Sequence, residues 1–446
     1  MNYLPRWSLA LLQLLALVLG FTTSIAHATN GMFMIGYGPK SRAMGGTSIA
    51  NPQSVMAGAT NPAAFNALKD TMVVGADLFK PVANVRLGSV EVNSGAKLIG
   101  SRKDNLFIMP GMGGVMKLSR KIKAGMTMVG AGGGGSLYEP NPYNAASNDP
   151  ANRTDIPVEV ELFILQMNPT ISYKINKQHA VGASLVIGIQ RFRAAGLALF
   201  KTFTITQLTD PDAAADRLTG RGIDWAGGLG VRVGWLGNFL NKRLTLGASA
   251  TTQTYMSRFK KYSELFAEHG RFNTPANIGV GMSYKFNKKF LVAFDVTHTF
   301  YEGVAAVSNQ GPETTGAPLG DNPTPRRLGQ DDGLGFGWED QTVYKLGLAY
   351  KLNKKWELRG GWNYGKSPID ETRNIIFNIT APATTQNHLT LGVGYKLSRG
   401  MEINASYVHA YRFSQNGPTY ISDNGDNTGE IEMYQDSITI GMNMRM

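Results

Sequence analysis

The stretch Leu389-Thr390-Leu391-Gly392-Val393-Gly394-Tyr395-Lys396-Leu397-Ser398-Arg399 holds two patterns that together decide the fold. In the first, Leu389, Leu391, Val393 and Tyr395 are large and apolar, while Thr390, Gly392, Gly394 and Lys396 between them are small or polar. Successive side chains of a β-strand point to opposite faces, so this alternation is a strand with one apolar face. In the second, Lys396-Leu397-Ser398-Arg399 interrupts the alternation. Ser and Asn suit tight turns because their side chains bond the nearby backbone. The same event recurs at Lys117-Leu118-Ser119-Arg120, Lys174-Ile175-Asn176-Lys177, Lys285-Phe286-Asn287-Lys288 and Lys351-Leu352-Asn353-Lys354, and more loosely at Asn238-Phe239-Leu240-Asn241-Lys242. Each copy reads as a short hairpin between antiparallel strands.

Six such turns join twelve strands, and alternating runs at 71–87 and 434–445 add one at each end. The other connections are long: Gly88–Asn105, Tyr138–Pro157, Leu197–Arg221, Lys260–Arg271, Val304–Gly337, Ser367–Thr385 and Ser414–Met433. Short turns on one side and long loops on the other, an even strand count and aromatic residues near strand ends are the pattern of an outer-membrane barrel. The expected fold is all-β: a 14-stranded antiparallel transmembrane β-barrel over residues 71–446, with a small N-terminal plug at 29–70. The short basic turns are expected to face the periplasm and the long loops the exterior.

Composition agrees with this reading. The chain has 446 residues, 53 glycines, no cysteine, 17% charged residues and a mean hydropathy of −0.16. That is too polar for a bundle of membrane helices and too rich in glycine for a helical enzyme. The lack of Cys removes disulfides, thiolate metal sites and a Cys nucleophile. Residues 1–28 read as a signal peptide: Arg6, an apolar run from Leu9 to Leu19, and Ala26-His27-Ala28 before a mature start at Thr29. The net charge of +12 is spread over the turns rather than gathered in one block, so nucleic acid is not an expected partner.

Residues 29–70 do not alternate. They are rich in small residues and low in charge, and they include Gly38-Pro39-Lys40-Ser41-Arg42-Ala43-Met44-Gly45-Gly46 and Asn61-Pro62-Ala63. The lumen of so large a barrel needs filling, which makes this segment the expected plug. These two motifs resemble the N-terminal hatch of the FadL/TodX family of outer-membrane transport proteins. The resemblance implies a fourteen-stranded barrel that carries long-chain fatty acids or hydrocarbons, with lateral release through an inward kink of the third strand. It also implies plug positions at Gly45, Gly46, Asn61, Pro62 and Ala63. One departure from the family is the C-terminus, which ends Asn443-Met444-Arg445-Met446 and not in the usual aromatic residue.

The third strand contains Gly132, Gly133, Gly134 and Gly135, a candidate for that kink, since glycine within a strand marks a bend or a close approach. Filling these positions with Val or Thr is expected to restore pairing and lower uptake. By parity Arg232, Lys345 and Arg359 point inward and are candidate partners for a substrate carboxylate, although a salt-bridge network within the lumen is the plainer role. Leu265-Phe266 and Phe336 are candidates for an entry groove. Expected partners are a hydrophobic small molecule and the lipid and lipopolysaccharide of the outer membrane, with the protein a monomer. No catalytic or metal residue and no cofactor is expected: Gly-x-Ser-x-Gly and His-Glu-x-x-His are missing from the sequence. The alternatives are a general porin for polar solutes, which would not need the 29–70 segment, and a barrel enzyme.

Overall fold

The computed structural model describes residues 30–88, 90–93, 107–144, 154–311, 326–372, 375–423 and 426–446; the signal peptide expected at 1–28 lies outside them. Fourteen strands form one ring: β1 (Thr71–Leu87), β2 (Phe107–Lys117), β3 (Ile122–Tyr138), β4 (Val158–Lys174), β5 (His179–Ala195), β6 (Asp224–Phe239), β7 (Leu244–Thr251), β8 (Ala276–Lys285), β9 (Phe290–Phe300), β10 (Gln341–Lys351), β11 (Trp356–Gly365), β12 (Asn387–Lys396), β13 (Met401–Asp423) and β14 (Asp426–Arg445). Each pairs antiparallel with its neighbours in sequence. β14 returns to β1, from Thr71↔Arg445 to Leu87↔Gly429, and closes the barrel. Val90–Asn93 folds back on β1, and Tyr255–Met256 prolongs the ladder along β6 beyond the end of β7.

The alternation read at 389–396 is the alternation observed. Leu389 and Leu391 are exposed, while His388 and Thr390 are buried. Exposed Val280, Met282, Leu346, Leu348, Ile438 and Ile440 continue the apolar exterior around the wall. Such a surface would aggregate in water, and it suits lipid. The turns use the predicted chemistry. The Asn176 carboxamide oxygen accepts from the backbone N–H of Gln178 and His179, each at 2.8 Å. Asn287, Asn353 and Ser119 do the same in their own turns. The looser copy is built differently: Leu240, Asn241 and Lys242 all take positive φ.

Two expectations change. Ser414–Met433 is not a loop: β13 and β14 continue as a hairpin to Asp423↔Asp426. The long β1 supports it through polar pairs, Asn84 Nδ2 to Glu432 at 2.7 Å and Arg86 Nε to Glu430 at 3.3 Å. Strand lengths are therefore uneven, with 23 and 20 residues in β13 and β14 against 8 to 11 in β7 through β12. Nor do the glycines of β3 interrupt its ladder with β4, which runs unbroken from Gly132↔Ile164 to Tyr138↔Val158. The irregularity is a bulge between Gly130 and Gly132, and the ladder that ends is the one to β2, at Gly111↔Val129.

Candidate functional site: an apolar chamber beside the open seam of β3

Beyond Val129, β3 has lost β2 as a partner, and residues 32–34 take its place. Gly133 N–H donates to Met32 O at 2.9 Å, and Met34 N–H donates to Ala131 O at 3.2 Å. The glycines permit this approach. A Cβ on Gly132 would stand 1.9 Å from Met32 O, and one on Gly133, at φ +150, would stand 2.0 Å from Leu162 O. Gly134 differs, because a Cβ there would meet nothing within 4 Å. Tyr301 anchors the other end of this short segment. Its hydroxyl accepts from Met32 N–H at 3.0 Å and donates to Asn30 O at 2.8 Å. Burial pushes the Tyr301 hydroxyl above the usual tyrosine range, so it keeps the proton it donates.

Residues 35–70 run on across the inside of the ring, and their contacts reach strands on every side of it. Arg42 pairs with Asp77 of β1 at 2.6 Å, and Lys40 with Glu402 of β13 at 2.9 Å. Asp295 of β9 accepts from the backbone N–H groups of Ser48 and Ile49 at 2.7 and 2.9 Å. Asn61 caps the turn at Pro62–Ala67: its side-chain oxygen accepts from Ala63 N–H at 3.0 Å. Its Nδ2 donates to Ile49 O at 2.8 Å and to Trp235 O of β6 at 3.0 Å. Gly45, at φ +64, passes so close to the wall that a Cβ would lie 2.4 Å from Trp362 O.

Above the Met32 bridge lies a chamber with a cavity volume of about 60 Å³. One side is strand wall: Gly133 and Gly134 of β3, Val160 and Leu162 of β4, Phe192 of β5. The rest comes from the long connections, with Phe200, Leu265, Phe266, Phe272, Val307, Phe336, Trp338 and Phe377 among the residues. Its aromatic rings meet edge to face, Phe200 with Phe377 at 4.9 Å and Phe192 with Phe266 at 4.8 Å between centroids. The loops are pinned by polar bonds: Trp338 Nε1 to Asn378 at 2.7 Å, Asn378 Nδ2 to Phe336 O at 2.8 Å, and Ser136 Oγ to Thr380 O at 3.2 Å. Among the described residues that line the chamber, none is ionisable.

Of the residues named from sequence, Leu265, Phe266, Phe336, Gly133 and Gly134 border the chamber. The three inward cations do not. Arg232 is buried with Thr251, Asn168 and Gln166, at 2.8, 3.2 and 3.5 Å. The Lys345 ammonium donates to Ile35 O at 3.1 Å. Arg359 pairs with Glu357 at 2.7 Å and also bonds Asn404 and Gln53. The sequence reading missed Phe192, Phe200, Phe272, Trp338 and Phe377. Phe192 left a trace: it is a large aromatic at an inward position of β5, where Gln190, Gly188 and Ser184 are small or polar.

A closed fourteen-stranded barrel with an apolar exterior and a chain segment across its interior defines an outer-membrane barrel protein. The sequence matches the outer membrane protein transport protein family (OMPP1/FadL/TodX) over residues 21–445, and the chain belongs to that family. The toluene transporter TodX of Pseudomonas putida has the same fold, with a TM-score of 0.67 at 18% identity over 92% of this chain and 99% of that one. The toluene transporter TbuX of Ralstonia pickettii follows at 0.61, 18%, 92% and 99%, and a Pseudomonas aeruginosa FadL homologue at 0.65, 13%, 93% and 99%. Alkane uptake protein A of Marinobacter nauticus is 28% identical over 113 residues, a match spanning 24% of this chain and 25% of that protein.

Proposed function

We propose that this protein takes up small hydrophobic molecules across the outer membrane, with a neutral hydrocarbon as its preferred cargo. The observation that carries the proposal is the chamber's lining, with its aromatic walls and no charged group among the described residues. A water-filled pore gives an apolar molecule no help, whereas this chamber replaces water around it. At about 0.8 kcal/mol per buried CH₂, an eight-carbon chain gains on the order of 6 kcal/mol before ordering costs. A fatty acid would need a cation for its carboxylate, and Arg232, Lys345 and Arg359 are engaged elsewhere. The transport of toluene and alkanes named for the relatives supports the same choice.

Residues 29–70 act as the plug in this reading, with Gly45, Gly46, Asn61, Pro62 and Ala63 among its fixed points. The short turns face the periplasm, and lipid and lipopolysaccharide surround a monomer. Cargo leaves sideways: the Met32–Met34 bridge lets go of β3, and the seam between β2 and β3 beyond Val129 opens from the chamber towards the bilayer. The seam's position beside Gly133 and Gly134, which also line the chamber, supports this route.

Native mass spectrometry of the purified barrel offered equal amounts of an alkane, an alkylbenzene and a long-chain fatty acid tests the cargo. The hydrocarbons should be retained. Preferential retention of the fatty acid, lost in Arg232→Ala, would overturn the neutral-cargo reading. Rapid liposome swelling with sugars would instead favour a general porin.

A further inference from the structure

The repeated Lys-x-Asn/Ser-Lys turns do more than reverse the chain. Their first lysine is the last residue on the inward face of its strand, in line with buried inward residues such as Ser172, Ser283 and Ala349. Lys174, Lys285, Lys351 and Lys396 therefore converge on a vestibule at the turn end of the barrel, a space of about 800 Å³ distinct from the chamber. Nine lysines line it, against two glutamates. Both glutamates already have partners: Glu357 pairs with Arg359, and Glu402 with Lys40 and Arg359. No ion pair is made by Lys174, Lys285, Lys351 or Lys396 among the described residues. The ceiling is the 35–70 segment, where Ala50, Pro52, Gln53 and Ala67 are uncharged and the one lysine, Lys40, is paired with Glu402.

We propose that this vestibule is a docking site for an acidic polypeptide segment, supplied from the periplasm in the orientation given above. Like charges held at one concave mouth repel one another and focus a positive field into it, and an anionic guest relieves that repulsion. The space far exceeds one carboxylate or phosphate. The four lysines point into the lumen and away from the lipid annulus, so headgroups of the surrounding bilayer are poorly placed to neutralise them. A short acidic peptide fits both the volume and the charge, and it would touch the segment that crosses the barrel.

The test uses the full-length barrel in phosphatidylcholine nanodiscs. Because the chain has no cysteine, Ala67→Cys provides a single reporter on the exposed vestibule ceiling. A polyglutamate peptide should protect this thiol from maleimide, and a polyserine peptide should not. The combined K285E/K351E/K396E variant should bind polyglutamate at least about tenfold more weakly and lose the protection. Added salt should weaken binding in the parent. The milder K285Q/K351Q/K396Q variant serves if the reversed one fails to assemble, as read by heat-modifiable gel mobility. K354E/K355E, on a turn outside the vestibule, should leave protection intact. Equal loss in that variant would mean a nonspecifically basic rim and would overturn the proposal, as would protection that survives the inward substitutions. Loss of peptide binding when phosphatidylglycerol replaces phosphatidylcholine would assign the vestibule to lipid headgroups instead.

Discussion

Substituting Gly132 with Ala should loosen the seal between the N-terminal segment and β3. The new Cβ would sit 1.9 Å from Met32 O, and ordinary contact begins at 3.4 Å, so Met32 must retreat by about 1.5 Å. That movement breaks the bonds from Gly133 N–H to Met32 O and from Met34 N–H to Ala131 O. Two hydrogen bonds at a net 0.5 to 1.5 kcal/mol each make the bridge worth about 1 to 3 kcal/mol. Every 1.4 kcal/mol is tenfold, so the population with the bridge released should rise by about 5- to 150-fold. The wall itself should stand, because the β3–β4 ladder does not involve this contact. The assays are single-channel conductance in planar bilayers and uptake of a radiolabelled hydrocarbon by intact cells. Both should increase while heat-modifiable mobility stays normal. If hydrocarbon uptake falls or stays at the parental level in a correctly assembled variant, the bridge is not the barrier to release and lateral exit at this seam is wrong.

Gly134→Leu should act in the opposite direction, since its side chain enters open chamber space: hydrocarbon uptake and ligand retention in native mass spectrometry should drop sharply with assembly unaffected. Parental uptake in this variant would mean that the cargo bypasses the chamber. Asn61→Ala removes three hydrogen bonds that join the crossing segment to itself and to β6, a loss of about 1.5 to 4.5 kcal/mol, and should raise leak conductance through an intact barrel. A conductance equal to the parent's would show that this anchor does not hold the lumen shut. An epitope inserted within residues 304–337 should be accessible on intact cells and one at Asn353 should not; the reverse pattern would invert the barrel in the membrane.

What the sequence made legible was local. Alternation and Asn- or Ser-centred turns are encoded within about ten residues, so strand count, order and facing could be read from stretches such as 389–399. The Asn61-Pro62-Ala63 motif carried its own capping chemistry. The chamber was not legible in the same way. Phe192, Phe266, Trp338 and Phe377 come from four separate parts of the chain, and only closure of the barrel brings them together. The hairpin beyond Ser414 looked like a loop because Asn416, Gly417 and Pro418 are turn formers, while the edge that orders it is β1, more than 300 residues earlier. In β3 the glycine run drew attention to the right neighbourhood. The bulge, however, falls at Ala131, and the glycines serve the close approach of Met32 and Leu162 rather than a break with β4.

The unequal strand lengths give the barrel a slanted rim. At about 3.3 Å per residue and a tilt near 40°, the ten residues of β8 rise about 25 Å, the height of the apolar band itself, whereas the twenty of β14 rise about 50 Å. In the proposed orientation the outer face is therefore a scoop: a tall parapet at β13, β14 and β1, and a lip cut down almost to the headgroups along β7 to β12. On the cut-down side the described residues of the chamber's roof belong to connecting loops. In the proposed uptake route, a molecule arriving from outside has no strand ladder among the described residues to part on its way in. Among the described residues, the ladder contact between the chamber and the proposed exit seam is the two-bond stitch at Met32 and Met34, so in the proposed route admission and discharge are guarded by backbone of very different stiffness.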